Sequence, residues 1–367
     1  MPKVTVLMAV YNGERYLTEA IDSILCQTFQ DFEFLIVNDG SSDSTREIIL
    51  SYDDSRIRLV DNECNLGLAR SLNRGLELAA GQLIARQDAD DISEPERLAK
   101  QVAFMETHPD VALLGTWYKK IDAQGILLGH REKPCDCLQI RWSLLFFCPF
   151  VHSTVMLRKV AVLSQIGFYN EAITYAEDYE LWSRIARCLP VANLNEYLVK
   201  FRVNPWSMTT TYRDIHSEPL QIRIANMRHV LGWEKTKAMA LNEAQLDTMA
   251  SLSTYCTDLD AREANRAAQE ILRLSTAFYQ FYGVDRTARR THRTNLCDRI
   301  TYNLLQLANR YFEQDNYAAA GQLFVAACRL HSPILFTKKP VVLLLKLLMG
   351  ASLVRAIKAL TLRGVNS

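Results

Sequence analysis

Three carboxylates stand close together in this sequence, at Asp88, Asp90 and Asp91, just after the apolar segment 82–85. An apolar run that ends in acids predicts a strand that delivers them to the edge of a sheet, where an open parallel sheet binds its ligand. Two carboxylates one residue apart can share a hard divalent cation, and that cation can hold a diphosphate. A solvated turn before a helix would need the same residues. The surrounding elements must therefore decide between the two interpretations.

Short β-branched runs and helix-length periodic segments alternate over the first 120 residues. The runs predict strands at Val4 to Val10, Phe32 to Val37, Ile57 to Val60 and just before the acids. The periodic segments predict helices at Glu14 to Phe29, at Thr45 to Tyr52 and from Asn65 onward. This alternation predicts a mostly parallel sheet covered on both faces, with its ligand at the carboxyl ends of the strands. The loops after the first two strands and the acidic run would meet there, which favours a binding site.

Two helix boundaries flank the acidic run. Gly81 is expected at the left-handed position that ends the helix begun by Asn65. Residues 93–96, Ser-Glu-Pro-Glu, match a capping box with proline in the first turn, so Ser93 is expected to cap the next helix.

The pattern changes along the rest of the chain. It is less regular from about residue 111 to 212, and helical periodicity dominates from about 215. We therefore expect an α/β domain over residues 1–214 and an α-helical C-terminal region over 215–367. Ala308 to Leu330 resembles one tetratricopeptide-like hairpin, but no neighbouring repeat has that period, so a generic helical region is expected.

Composition excludes several classes of protein. The 367 residues carry 42 basic and 41 acidic side chains, a formal charge of +1, so no global field indicates nucleic acid as a partner. Nine cysteines at irregular spacing predict reduced thiols rather than a disulfide framework.

The two ends of the chain bear on localisation. The first strand begins at Val4 without a signal peptide, so a cytoplasmic protein is expected, placed at the inner face of the membrane if its C-terminal end contacts lipid. Residues 340–360 are apolar, but Lys346, Arg355 and Lys358 interrupt them. No uncharged stretch among them is long enough to span a bilayer. Peripheral membrane contact through 340–360 and a packed terminal helix both remain open.

Five segments between residues 8 and 182 together resemble family 2 glycosyltransferases of the GT-A fold. They are Met8-Ala9-Val10-Tyr11-Asn12-Gly13-Glu14, Val37-Asn38-Asp39-Gly40-Ser41-Ser42-Asp43, Asn65-Leu66-Gly67-Leu68-Ala69, Asp88-Ala89-Asp90-Asp91 and Ala176-Glu177-Asp178-Tyr179-Glu180-Leu181-Trp182. The resemblance implies that residues 1–214 form a GT-A catalytic domain, a nucleotide-diphospho-sugar transferase fold with a mostly parallel central sheet.

The resemblance also implies a nucleoside-diphosphate-sugar donor lying across the strand ends. Tyr11 would face the nucleobase, and backbone groups of Ala9 and Val10 would fix the edge of the base. Asp39 would accept a hydrogen bond from the base; the family often has two acids here, whereas this chain has Asn38 before Asp39. An aromatic residue at a strand end and a turn-forming aspartate are the structural alternatives.

The acidic run would serve the diphosphate. By resemblance, Asp88 belongs to the ribose or metal shell, and Asp90 coordinates Mn²⁺ or Mg²⁺, which neutralises the leaving group. Asp91 is expected to cap the turn toward the next helix. Arg70 could reach a phosphate or be an ordinary exposed helical arginine.

The Glu177-Asp178 pair would supply the other half of the mechanism. Inverting transfer needs one base to take the proton of the attacking hydroxyl. By resemblance that base is Asp178, while Glu177 orients the acceptor or the loop. The alternative is a helix N-terminus enriched in acids, with Trp182 facing the core.

Further residues of similar segments are expected on the acceptor or diphosphate side: Trp182, Arg202 and His152. His152 could equally be a structural histidine. The family frequently has histidine where this chain has Asn204, at the start of the loop 204–212.

The sequence thus predicts a metal-dependent, inverting, non-processive transferase that moves one sugar to a glycan or lipid-linked saccharide. Residues 139–142, Gln-Ile-Arg-Trp, are one residue short of the signature of processive synthases and precede the Glu177-Asp178 pair. A nucleotidyltransferase would need a Gly-rich basic phosphate loop near the N-terminus, which residues 9–14 lack. A catalytically silent sugar-nucleotide-binding or scaffold protein that works through its helical region is the remaining alternative.

Overall fold

The computed structural model describes residues 1–204, 217–232, 243–253 and 259–330, with isolated positions 340, 343, 344 and 347. The chain divides into two compact units, Met1–Ile224 and Ala225–Ser367. Apart from those isolated positions, the segment 340–360 and its expected membrane contact lie outside the described residues. Among the helices that are described, none is long and apolar enough to cross a membrane.

The first unit is built on one nine-stranded sheet. Its strands are β1 (Val4–Val10), β2 (Phe32–Asn38), β3 (Ile57–Asp61), β4 (Leu83–Arg86), β5 (Ile92–Ser93), β6 (Leu113–Ile121), β7 (Leu127–Arg131), β8 (Met156–Arg158) and β9 (Val191–Arg202). Their order in space is β3-β2-β1-β4-β8-β6-β9-β5, and β7 pairs with β6.

Strands β1 to β4 pair in parallel, and so do β6 and β9. The pairings of β4 with β8, β6 with β8, β6 with β7 and β5 with β9 are antiparallel. The prediction of a mostly parallel sheet is therefore right for its first four strands, and the whole sheet is mixed. The sequence pattern is less regular after about residue 111, so it carried no sign of the direction of the later strands.

Helices of the first unit cover this sheet: α1 (Leu17–Leu25), α2 (Thr45–Leu50), α3 (Leu68–Leu78), α4 (Arg97–Thr107), α5 (Cys137–Ser143), α6 (Lys159–Gln165) and α7 (Glu177–Cys188). Alternate residues of β1 point to opposite faces. Met8 belongs to the core that contains Ile21 of α1, and Leu7 to the core that contains Leu72 of α3. Both faces are thus covered, as predicted.

Two predicted boundaries are wrong, for tertiary reasons. Helix α3 ends at Leu78, and Gly81 has no left-handed backbone; a Cβ at Gly81 would lie 2.3 Å from the backbone nitrogen of Thr5. Ser93 does not cap a helix, because it lies in β5 and its hydroxyl donates to Oε1 of Gln87 at 2.7 Å.

The second unit is helical. Helix α8 (Ser217–Leu231) crosses the division, and α9 (Glu243–Ser253), α10 (Ala261–Phe281), α11 (Arg286–Glu313) and α12 (Tyr317–Cys328) follow. Helices α11 and α12 form a helical hairpin, with Asp315 at a φ of 61° in its turn. Buried alanines such as Ala264, Ala308 and Ala320 let the helices pack closely. His292 and Tyr279 form a buried hydrogen bond of 2.8 Å in this unit.

Candidate active site

The acidic run begins where β4 ends, between β1 and β8. Gln87, which is fully buried, donates from Nε2 to the carbonyls of Asp88 and Asp91 at 3.1 and 2.8 Å. Arg97 of α4 in turn donates to Oε1 of Gln87 at 3.0 Å and to the carbonyl of Arg86 at 2.7 Å. The run is therefore a turn fixed by buried side chains at the sheet edge, not a solvated loop.

Both carboxylate oxygens of Asp88 are held by neighbours. Arg86 donates from Nη2 to Oδ1 at 2.6 Å, and the hydroxyl of Ser153 donates to Oδ2 at 2.7 Å. Burial would raise the pKa of Asp88, but Arg86 and Ser153 help to bring it below its ordinary value. Asp88 is thus held as a carboxylate of fixed orientation.

Asp90 has a different environment. Its Oδ2 accepts a hydrogen bond of 2.7 Å from Nδ2 of Asn204. Burial and the nearby charge of Asp88 raise the pKa of Asp90 to about 6. A cation between the two carboxylates would relieve this repulsion. Asn204 therefore lies against the predicted metal ligand, at the position where the family often has histidine.

Asp91 is buried instead of lying in an open turn. It is 1% exposed, and its Oδ1 accepts the backbone N–H of Arg202 at 2.8 Å. Within the described residues its Oδ2 has no hydrogen-bond partner, and burial together with Asp90 and Asp88 raises its pKa. Asp91 thus ties the acidic turn to the end of β9, which the capping prediction did not foresee.

Arg202, expected on the acceptor or diphosphate side, is only 2% exposed. Its Nε donates to the carbonyl of Asp90 at 2.9 Å, and its Nη2 donates to Oε2 of Glu19 at 2.7 Å. The guanidinium also lies 4.3 Å from the centre of the Tyr16 ring. These contacts engage the Arg202 guanidinium with other residues of the protein, so Arg202 stabilises the acidic turn.

His152 joins the acidic turn to the second acidic pair. Its Nε2 accepts a hydrogen bond from Nε of Arg86 at 3.2 Å and lies 2.9 Å from the hydroxyl of Tyr169. Its Nδ1 lies 3.9 Å from Oε1 of Glu177. Burial, with Arg86 nearby, lowers the pKa of His152 to about 3, so the ring is neutral. Because arginine can only donate, we place the ring proton on Nδ1, facing Glu177.

The pair Glu177 and Asp178 opens helix α7, where the positive end of the helix dipole favours anions. Burial, and then the charge of Asp178, raises the pKa of Glu177 to about 8. Burial, and then Asp88, raises the pKa of Asp178 to about 6, partly offset by a hydrogen bond of 2.6 Å from the backbone N–H of Tyr179. At pH 7 Glu177 is therefore mostly protonated and Asp178 mostly ionised, which is the state a base needs.

Asp39 is buried at the end of β2 and anchors the loop before α3. Its Oδ1 accepts from Nδ2 of Asn62 at 2.7 Å and from the backbone N–H of Leu66 at 2.8 Å, and its Oδ2 accepts from the backbone N–H of Gly67 at 3.0 Å. The preceding Asn38 donates to Oδ1 of Asp61 at 2.8 Å. An aspartate at position 38 would instead face that carboxylate, which explains the asparagine.

The first loop follows β1. Tyr11 is 49% exposed, so its ring is available to a ligand. Ala9 lies inside β1 opposite Val37, and the carbonyl of Val10 accepts the backbone N–H of Asp39 at 2.8 Å. The carbonyl of Val10 is thus already engaged by the neighbouring loop.

Two further predicted residues lie away from the acidic edge. Arg70 is exposed on α3, and its Nε lies 3.2 Å from Oε2 of Glu171. This position agrees with an ordinary exposed helical arginine, one of the two interpretations given above. Trp182 is fully buried and packs its ring edge-on to His152, with centroids 5.9 Å apart. The structure therefore places Trp182 in the core, behind His152.

The donor chemistry at the edge fits a divalent cation. In the described part of the chain, no three His, Cys, Asp or Glu side chains form a complete metal cage. Mg²⁺ is commonly held by one or two carboxylates and substrate phosphates rather than by such a cage. Asp90, whose pKa is raised by burial and then by the charge of Asp88, offers that kind of incomplete hard-oxygen site.

Sequence reasoning missed Arg86, Ser153 and Tyr169 as parts of the site. An arginine at the end of an otherwise apolar strand was a usable signal for Arg86, because a buried cation needs an anion close by. Ser153 and Tyr169 carried no such signal, since their proximity depends on how β8 and the following loop fold back.

An α/β sheet with helices on both faces, bearing a divided acidic site at one edge, defines the class of GT-A-type transferases. Residues 5–167 match the model of glycosyl transferase family 2. The putative glycosyltransferase EpsE of Bacillus subtilis is 39% identical over 206 residues, which are 55% of this chain and 73% of that protein. The amylovoran biosynthesis glycosyltransferase AmsE of Erwinia amylovora is 37% identical over 205 residues, 54% and 75% of the two chains.

Among solved structures, residues 1–349 of S. aureus TarS in complex with UDP-GlcNAc superpose with a TM-score of 0.52 at 17% identity, covering 90% of this chain and 92% of that one. This likeness confirms the fold class. The chain belongs to glycosyl transferase family 2, and it is a glycosyltransferase.

Proposed function

We propose that this glycosyltransferase moves one sugar from a nucleoside-diphosphate-sugar to a hydroxyl of a saccharide or lipid-linked saccharide, with inversion at the transferred carbon. The observation that carries the proposal is the continuous set of contacts from Asp88 through Arg86 and His152 to Glu177. It joins an acidic edge suited to a diphosphate to an acidic pair suited to proton removal. The relative AmsE, named for amylovoran biosynthesis, supports a saccharide acceptor.

Donor binding is assigned to the strand ends. The exposed ring of Tyr11 stacks on the nucleobase, and Asp39 keeps the adjoining loop in place through its three hydrogen bonds. Asp90, with Asp88 beside it, would hold Mn²⁺ or Mg²⁺ for the diphosphate. When bound, that ion supplies positive charge that stabilises the departing diphosphate.

The proton is assigned to Asp178. With a pKa of about 6 it is ionised at neutral pH and can take the proton of the acceptor hydroxyl as the oxygen attacks the anomeric carbon. Glu177, protonated at the same pH, adds no second negative charge beside it and can donate a hydrogen bond to the acceptor. The division of labour follows from two carboxyl groups whose environments separate their pKa values.

The test is donor turnover by the purified full-length chain. We expect release of a nucleoside diphosphate from at least one of a panel of UDP-, GDP- and dTDP-sugars with Mn²⁺ or Mg²⁺, and its loss on chelation with EDTA. Asp90→Ala should abolish it, whereas Asp31→Ala, at an exposed position in the loop before β2, should not. Lack of turnover with every donor, together with unchanged nucleotide binding by Asp90→Ala, would contradict the proposal and favour a silent binding protein.

A further inference from the structure

One face of the hairpin formed by β6 and β7 carries three cationic side chains. Tyr118 of β6 lies opposite Arg131 of β7, and Lys120 lies opposite Gly129. Residues directly opposite in an antiparallel pair share a face, and so do residues two apart in one strand. Lys133 follows β7 and joins this face, because its Nζ lies 5.6 Å from the centre of the Tyr118 ring. Lys120, Arg131 and Lys133 are here called the cationic strip.

The cationic strip lies on the side of the sheet that carries Asp178. The neighbouring Lys119 points to the other side, where its Nζ donates to Oε1 of Glu94 at 2.8 Å, just before α4. Helices α4 and α7 contribute to different cores, one on each face of the sheet. Asp178 is in the first turn of α7, so the cationic strip and the proposed base share one face.

Cys148 relates the cationic strip to the base. Burial, and then the charge of Asp178, raises the pKa of the Cys148 thiol, whereas the charge of Lys133 opposes the rise. Because charges act strongly only over short distances, both Asp178 and Lys133 are close to this thiol. An acceptor that places a hydroxyl at Asp178 can therefore reach Lys133 with a neighbouring group.

The cationic strip has no anion of its own. Within the described part of the chain, none of its three side chains forms an ion pair. Lys120 and Lys133 are nevertheless half-buried. Burial lowers the pKa of Lys133, and the nearby charge of Arg131 lowers it further. Taking an ammonium group out of water is unfavourable unless an anion compensates, so the missing anion is expected from a ligand.

Aromatic rings lie beside the cationic strip. Phe201 of β9 is half-buried and lies opposite Lys120. Its ring meets that of Tyr118 edge-on, with centroids 5.7 Å apart. Aromatic side chains with a few charged groups are the usual lining of a small-ligand site. A ligand that combines a ring with an anion, such as a charged sugar, therefore fits this surface better than a bare anion.

We propose that the cationic strip binds an anionic group of the acceptor, a phosphate or a carboxylate, and thereby selects a negatively charged saccharide. Lys133 contacts the anion, and Lys120 and Arg131 add positive charge beside it. The inference rests on the proposed function, since it concerns the acceptor of that reaction.

The test is the binding of three probes to the full-length chain in metal-free buffer, measured by titration calorimetry. The probes are an alkyl-linked N-acetylglucosamine diphosphate, a glucuronic acid disaccharide and neutral chitobiose; the first two separate a phosphate from a carboxylate. We expect at least one anionic probe to bind, and Lys133→Met to weaken its binding at least tenfold, as for hydrogen bonds to charged groups. Lys133→Arg should recover part of the loss.

The control is Lys200→Met. Lys200 is a half-buried lysine that lies opposite Lys119, and therefore on the other face of the sheet. This variant should bind each probe as the parent does, and chitobiose should bind equally to every variant. With a donor that turns over and Mn²⁺, Lys133→Met should raise the KM for the anionic acceptor with little change in kcat.

Failure of both anionic probes to bind, or anionic binding that Lys133→Met retains, would overturn the inference. Equal weakening of UDP binding with Mn²⁺ by Lys133→Met would assign the cationic strip to the donor and overturn it as well. If no donor turns over but Lys133-dependent binding of an anionic probe is present, the proposed function fails while the anion site stands.

Discussion

Nδ1 of His152 lies 3.9 Å from Oε1 of Glu177. On its other side the same ring accepts the hydrogen bond from Arg86, which also holds Asp88. One neutral, buried imidazole thus stands between the acids assigned to the leaving group and the acids assigned to the acceptor. This relationship makes the two halves a single site.

The role of His152 can be separated from general stability by substitution. His152→Ala removes the acceptor of Arg86 and the proton facing Glu177, so we expect the kcat for transfer to fall about ten- to a hundredfold, as for other orienting hydrogen bonds. His152→Gln offers a carbonyl to Arg86 and an N–H to Glu177, so it should recover much of the loss. Steady-state kinetics with a saturating donor measures both.

A matched control exists in the second unit. His292 is buried and hydrogen-bonded to Tyr279, as His152 is to Tyr169. His292→Ala should lower the melting temperature without lowering kcat in the folded enzyme. Equal kcat for the two alanine variants, or a glutamine variant no better than alanine, would contradict a positioning role for His152.

The pH dependence of transfer should reflect Asp178. Its pKa is raised to about 6 by burial and Asp88, so the base is protonated below that pH. We expect the transfer rate to fall about tenfold per pH unit below pH 6. Glu177→Gln should leave this acid limb in place, because Glu177 is already neutral there. A rate independent of pH between 5 and 7 would exclude Asp178 as the base.

Glu177 should lower the free energy of unfolding of the protein at alkaline pH. Its pKa of about 8 in the folded protein exceeds the ordinary value of 4.5, so the unfolded chain loses this proton at a lower pH. The free energy of unfolding therefore falls as the pH rises from 4.5 to about 8. Each unit of such a difference is worth about 1.4 kcal/mol. Glu177→Gln cannot ionise, so its free energy of unfolding should exceed that of the parent at pH 9 and approach it at pH 5.

Thermal unfolding across this pH range measures the effect. Glu180→Gln is the control one turn along the same helix, where Glu180 forms an ion pair with Arg184 at 2.7 Å. A gain for Glu180→Gln equal to that for Glu177→Gln would show that the effect is not due to burial of Glu177.

The sequence predicted the features that rest on local periodicity and order. Strand β1 matches its predicted bounds, and β4 delivers Asp88 and Asp90 to the sheet edge as expected. The family resemblance was likewise confirmed. These signals are strong because each depends on neighbours within a few residues, or on motifs in a fixed order.

What failed depends on contacts between distant segments. The burial of Asp91 requires the end of β9, which lies 111 residues away. The inward direction of Arg202 depends on Glu19 and Asp90, and the direction of β8 on a pairing with β4. Propensity and spacing carry no information about such contacts, so a side chain's direction could not be inferred from its motif alone.

The division of labour between Asp90 and Asp178 is tested most directly by measuring donor binding and transfer together in two variants. Titration calorimetry with the productive nucleotide sugar and Mn²⁺ gives binding, and product formation gives transfer. We expect Asp90→Ala to lose metal-dependent binding, and Asp178→Asn to bind the donor as the parent does while transfer falls about a hundredfold or more. Retained transfer in Asp178→Asn, or unchanged metal-dependent binding in Asp90→Ala, would contradict the account.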